Sequence, residues 1–210
     1  MDLPAPPFWE SHLIDHPAPL MVGLAIIAVF LFLLAQRLQS WRLLVAAITV
    51  LALIGGVFVT GNVVVTPRRQ LIERTKDWVA WTAPMEVNKV CSFCNHYATV
   101  VGADGELWFD INGLANKLSD LQRSRLIQQQ QVADVEAAVS PDDPRQGRSL
   151  LRLRTAIGEV PDSSLWVSST WLISWTRLAD DQWYATEIKC LKVNDQQAIG
   201  LSMLGLPGGH

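Results

Sequence analysis

Ser168-Ser-Thr-Trp-Leu-Ile-Ser-Trp-Thr-Arg177, followed after a short polar break by Asp181-Gln-Trp-Tyr-Ala-Thr-Glu-Ile188, is the stretch that decides the fold. Its apolar and polar residues alternate at a period of two, the spacing of a strand with one covered face. Alternation puts Trp171, Ile173 and Trp175 on one face and Trp166 on the other. Ala179-Asp-Asp-Gln182 reads as a tight connection, so Leu165–Leu178 and Trp183–Val193 are expected to pair as a hairpin. Leu150–Ile157 is a third strand-like segment, set off by a loop containing Pro141, Pro144 and Gly147.

Upstream the period changes. Thr66-Pro67 is a helix start, with Thr as the cap and Pro at the first helical position. Leu71, Ile72, Trp78 and Val79 give that helix one apolar face, and Pro84 ends the run. Val87, Val90, Cys91 and Cys94 fit a second, short helix. Tyr97–Val101 and Glu106–Phe109 read as short strands around the turn at Gly102-Ala-Asp-Gly105. Asp110 can cap a third helix whose apolar face is Ile111, Leu114, Leu118 and Leu121. Residues 127–139 stay open between helix and strand: the Gln128–Gln131 run is too short to be a low-complexity tract, and Val132, Val135 and Val139 also fit a helix. Helices followed by long antiparallel strands are an α+β order.

The charge is distributed unevenly. The chain has 210 residues, 17 Lys or Arg and 20 Asp or Glu, so it carries no basic footprint for nucleic acid. Residues 1–65 hold only five of those charges. Two uncharged runs, 17–36 and 43–67, are each long enough to cross a bilayer core of about 30 Å. They are read as two transmembrane helices, about 18–36 and 43–65, after an extramembrane tail at 1–17. A domain at 66–195 and a flexible tail at 196–210 follow. The first run lacks the basic flank of a signal peptide, so it is expected to be retained. Arg37, Trp41 and Arg42 lie in the connecting loop and Phe8-Trp9 in the tail, which favours a cytoplasmic loop and an extracytoplasmic domain. Arg68, Arg69, Arg74 and Lys76 count toward the opposite orientation.

With these elements in place, the domain resembles the nuclear-transport-factor-2-like, or SnoaL-like, superfamily across about residues 67–194. The resemblance rests on element order and on Ser168–Arg177 with Asp181–Ile188, which look like that family's paired last strands. It implies a cone-shaped domain of helices packed in a curved antiparallel sheet. The family includes isomerases, dehydratases, hydrolases, ligand binders and association modules, so the fold alone leaves the function open.

No nucleotide, zinc-protease, serine-hydrolase or calcium-loop motif is present, and no cofactor is expected. Cys91, Cys94 and His96, with Cys190 downstream, form a possible metal or redox cluster, although the spacing of a second ligand pair is missing. Cys190 could instead form a disulfide with Cys91 or Cys94 in an oxidising compartment, or all three could be small core residues. Tyr97, Asp110, Arg152, Arg154 and Glu187 are the polar groups expected to line a pocket in the cone. Trp171, Ile173 and Trp175 are candidates for an association surface. The leading expectation is a non-catalytic, membrane-anchored binding or assembly module, working as a homodimer or as a subunit of a membrane complex. A small-molecule enzyme using the cone pocket and a Cys-based metal or redox protein are the alternatives.

Overall fold

The fold is taken from a computed structural model, which describes residues 17–63, 65–83, 85–124, 127–158 and 165–198. The tail at 1–16, Pro84 and the terminal residues 199–210 named above lie outside the described residues. The chain divides into two compact units, one ending at Arg69 and the other starting at Gln70.

The first unit contains helices α1 (Pro17–Leu38) and α2 (Trp41–Val63), of 22 and 23 residues. At 1.5 Å per residue each is about 33–35 Å long, and both are long and apolar enough to cross a membrane. Only Gln39 and Ser40 separate them, Gln39 adopting a left-handed φ of 47°. The connection is thus shorter than the charge pattern implied, because Arg37 belongs to the last turn of α1 and Arg42 to the first turn of α2. Ala28, Ala35 and Ala47 are buried, whereas Ile26, Phe30, Leu33 and Phe58 are exposed. Small residues therefore allow close approach and large apolar ones face outward, the reverse of a soluble core helix.

The second unit is an α+β domain. Helix α3 (Pro67–Ala80) starts where Thr66 Oγ1 accepts the N–H of Arg69, and it buries Leu71, Thr75 and Val79. Helix α4 (Val87–Ser92) leads directly into β1 (Cys94–Val101), so Cys94 opens a strand and does not extend the helix. Strand β2 (Leu107–Asp110) ends at α5 (Ile111–Ser124), whose cap is Asp110 Oδ1, accepting Gly113 N–H at 2.7 Å. Four long strands follow: β3 (Ile127–Val139), β4 (Gln146–Ile157), β5 (Leu165–Arg177) and β6 (Trp183–Val193). The ambiguous segment is therefore a strand, fixed by its pairing to β4 and not by any period of its own. Gln196–Gln197, expected in the tail, forms β7 against β6 after left-handed Asn194 and Asp195.

The sheet order is β2-β1-β6-β5-β4-β3. All pairs are antiparallel except β1 with β6, so the sheet is mixed where an antiparallel one was expected. The reason is topological. The last long strand returns beside the first and runs in the same direction. Register shifts between Thr170 and Trp171, between Ser174 and Trp175, and between Val132 and Asp134 bend the sheet around the helices.

Three contacts fix α3 on this sheet. Ser149 Oγ, fully buried, accepts the hydroxyl of Thr75 at 3.0 Å and the indole N–H of Trp175 at 2.8 Å. Gly147 leaves space for Leu71, whose Cδ1 would collide with any Cβ at 147. Trp183 closes the same region, its indole N–H directed at Gln70 Oε1. Ser149→Ala would leave the Trp175 donor buried without an acceptor and is expected to cost about 1–3 kcal/mol. Gly147→Ala overpacks against Leu71 and is expected to cost a similar ~1–3 kcal/mol. The exposed substitution Ser124→Ala should stay within about 0.5 kcal/mol of the parent. Denaturant unfolding monitored by Trp fluorescence separates the three.

Candidate functional site

The inner face of the sheet and the helices packed on it enclose a partly open cavity of about 190 Å³. Its floor comes from strand alternation. On β4 the residues Gly147, Ser149, Leu151, Leu153 and Thr155 are buried, while Gln146, Arg148, Arg152 and Arg154 are exposed. Register carries the inner row across the sheet: Thr155 pairs with Gln130 on β3 and Val167 on β5, and Leu153 with Ser169. Trp171 and Ile188 extend the floor, and Ile127 and Ile157 form one end. The walls are Trp78, Val79 and Thr82 at and beyond the end of α3, Val100 on β1, and Trp108 and Phe109 on β2. Leu114, Lys117, Leu118 and Leu121 of α5 complete the enclosure, since that helix repeats its apolar side chains at three- and four-residue spacing.

The polar groups of this wall are largely occupied with one another. Thr82 donates to Val79 O and lies against Gln130 Oε1. The Trp171 indole donates to Ser169 Oγ at 2.9 Å. The indole nitrogens of Trp78 and Trp108 are buried with no acceptor among the described residues. Lys117 is the charged side chain of the wall, and among the described residues the wall holds no Asp, Glu, His or Arg.

The residues singled out from the sequence lie elsewhere. Tyr97 is 89% exposed on β1. Asp110 caps α5 from an exposed position. Arg152 bridges Asp134 at 3.0 Å and Glu136 at 3.5 Å on the outer face of the sheet, and Arg154 lies 5.8 Å from the Trp166 ring on that same face. Glu187 pairs in register with Ser174 and Thr99, on the side of β6 opposite Ile188. None of the five lines the cavity. All five carry titratable groups, whereas the wall of this cavity is apolar. The signal that marks it in the sequence is the inward row Leu153, Thr155 and Ile157, alternating with the arginines.

The proposed association surface changes as well. Ile173 is 0% and Trp175 1% exposed, both within the main core, and Trp171 is half-buried against the cavity. The covered face of β5 is thus its aromatic face. A docking partner has no access to Ile173 or Trp175.

All three cysteines are free thiols. Cys94 pairs with Ala185 at the start of the β1–β6 ladder, five residues before Cys190. At about 3.3 Å per residue that offset is roughly 16 Å, beyond the reach of a disulfide. His96 is exposed on β1, and among the described residues no three His, Cys, Asp or Glu side chains converge to hold a metal ion. Burial raises the Cys91 thiol, and burial together with the neighbouring Cys91 pushes Cys94 up to about 12. Burial likewise pushes Cys190 up to about 12. At the β5–β6 turn the Tyr184 hydroxyl donates to Asp180 at 2.7 Å, which lowers the carboxyl and raises the phenol. None of these perturbed groups lines the cavity.

No protein family and no curated protein matches this sequence. Among solved structures, the chain is similar to a hexachlorocyclohexane dehydrochlorinase from Novosphingobium barchaimii, with 9% identity, a TM-score of 0.49, and coverage of 64% of this chain and 90% of that one. A candidate scytalone dehydratase from Novosphingobium aromaticivorans gives 10% identity and a TM-score of 0.49, covering 63% and 91%. An uncharacterised protein with a cystatin-like fold from Caulobacter vibrioides gives 8% and 0.48, covering 65% and 92%.

The thiol environments set an order of reactivity. A thiol titrating near 12 is ionised at pH 8 to about one part in 10⁴, and the thiolate is the nucleophile. Iodoacetamide at pH 8 should therefore modify Cys91 first, with Cys94 and buried Cys190 reacting only after denaturation. Peptide mass spectrometry over time reads that order directly.

Proposed function

We propose that this chain is a membrane-anchored binding protein whose SnoaL-like domain holds a small apolar molecule between α3, α5 and the sheet. The composition of the cavity wall carries the reading. Acid–base chemistry needs a titratable side chain within hydrogen-bond reach of the substrate, and among the described residues this wall includes one ammonium, Lys117, and neither carboxylate nor imidazole. An apolar enclosure with few polar groups is instead the ordinary form of a small-molecule site. Its volume of about 190 Å³ exceeds that of apolar cavities of about 150 Å³ that accept benzene.

Helices α1 and α2 supply the anchor in this reading. Their length, their lack of charge between Arg42 and Val63, and their outward-facing Phe and Ile side chains support a bilayer as the covering phase. Arg37 and Arg42 at the α1–α2 connection support a cytoplasmic connection and an extracytoplasmic domain, with Arg68, Arg69, Arg74 and Lys76 counting the other way. A second copy or a membrane-complex partner remains part of the proposal, but its surface would be other than the aromatic face of β5.

Two experiments test this. The full chain, expressed and washed with alkaline carbonate, should stay in the membrane fraction; release into the supernatant would remove the anchor. Purified into lipid nanodiscs and denatured, it should yield a small apolar compound that empty nanodiscs do not. Val167→Phe, which adds volume to the cavity floor, should reduce the recovered compound about tenfold or more while the far-ultraviolet circular dichroism is unchanged. Equal recovery from the variant would move the site elsewhere, and chemical turnover of the compound by the parent protein would replace binding with catalysis.

A further inference from the structure

We infer that this cavity selects an uncharged molecule with a hydrogen-bond acceptor, a carbonyl or ether oxygen on an apolar body, and that the indole N–H groups of Trp78 and Trp108 are the donors that recognise it. This rests on the reading of the cavity as a binding site and adds the polar chemistry of what it binds. Three other indoles of the domain have acceptors within the chain. Trp175 donates to Ser149 at 2.8 Å, Trp171 to Ser169 at 2.9 Å and Trp183 to Gln70 at 3.3 Å. Trp78 and Trp108 differ. Among the described residues, their nitrogens are the buried side-chain nitrogens or oxygens left without a partner. Both border the same cavity, Trp78 from α3 and Trp108 from β2.

A buried N–H without an acceptor is costly, and folded proteins pair nearly all such groups. The wall oxygens that could accept are in use: Gln130 Oε1 lies against the Thr82 hydroxyl, and Ser169 Oγ takes the Trp171 indole. Both orphan nitrogens are closed to solvent. The acceptor that completes them is therefore one brought by an occupant, met by a small turn of each ring into the open volume. An indole N–H only donates, so the complement on the occupant is a lone pair. A plain hydrocarbon would leave both donors unpaired, and an ammonium has no lone pair to offer. A carboxylate accepts, but it would carry its charge into a wall almost wholly of Leu, Val, Ile and Trp. Lys117 does not change that balance, since it already has an interaction within the chain. An uncharged acceptor is the class that remains.

Three probes of nearly one shape test the acceptor. 2-Ethylnaphthalene, 2-acetylnaphthalene and 2-naphthoate are equilibrated by dialysis against the full chain in neutral-lipid nanodiscs, with uptake by empty nanodiscs subtracted. The ketone should be retained about tenfold more tightly than the ethyl compound, the scale of hydrogen bonds that relieve buried donors, and more tightly than naphthoate. The double variant Trp78→Phe with Trp108→Phe keeps two aromatic rings and removes both N–H groups. It should retain the ketone and the ethyl compound within about twofold of each other. In the nitrogen-15-labelled parent, two indole N–H resonances should move downfield with the ketone and stay in place with the ethyl compound, a readout independent of whether the double variant folds. Equal retention of ketone and ethyl compound by the parent, an unchanged preference in the folded double variant, or static indole resonances would overturn the inference and leave the binding site standing. Tighter retention of naphthoate than of the ketone would overturn the uncharged class. Retention of none of the probes above empty nanodiscs would overturn the binding reading itself.

Discussion

The space that Gly147 leaves for Leu71 is the constraint on which the domain depends. A Cβ at that position would occupy the volume of Leu71 Cδ1, so α3 reaches the sheet only because β4 carries no side chain there. Once α3 is seated, Thr75 meets Ser149, and Ser149 takes the indole N–H of Trp175. One turn further on, Trp78 and Val79 then project over the inner face at the level of Leu153 and Thr155, where the cavity lies. The close approach at one end of α3 and the open volume at the other are parts of one arrangement. A buried hydroxyl network of this kind is costly when broken and directional when complete. It therefore orients the helix in a way that apolar packing alone would not.

The two faces of β4 divide the work of the domain. Inward, Ser149, Leu151, Leu153 and Thr155 build core and cavity floor; outward, Arg148, Arg152 and Arg154 meet water and the acids of β3. The outer ion pairs of Arg152 are about half exposed, so screening leaves them with little weight in stability. Their consequence is register. A slip of one residue would turn three arginines into an apolar core and expose Leu151 and Leu153. The pattern that makes the strand unambiguous thus also guarantees that the cavity floor is apolar.

Much of this was legible in the sequence because it follows from period and from caps. The alternation through Trp171, Ile173 and Trp175, the Asp110 cap with Leu114, Leu118 and Leu121, and the two uncharged runs near the start each correspond to an observed element. Strand β3 was not legible, because its four glutamines carry no periodic contrast and its state is imposed by β4. The parallel pairing of β1 with β6 was hidden for a related reason: strand order is a property of the assembled sheet, which local composition does not encode. The cavity was missed through a choice of chemistry. Its wall is apolar, whereas Arg152, Arg154 and Glu187 all fall on the outward phase of strands whose inward phase borders it.

An open volume in an otherwise well-packed domain has an energetic consequence. Apolar side chains that border a partly open cavity of about 190 Å³ forgo part of the contact that a filled core would give them. Larger residues at Val100, Val167 or Ser169 would recover part of it, since all three border the void on rigid strands. The network at Ser149 supports the same domain from the opposite end of α3, and its bonds can offset only a fraction of that loss. Any molecule that filled the void and bound only the folded state would add its own binding free energy to the fold. In that sense the apolar wall and the well-satisfied core are complementary. The core holds α3 against the sheet at one end, and the apolar wall at the other end would be covered by whatever filled the void.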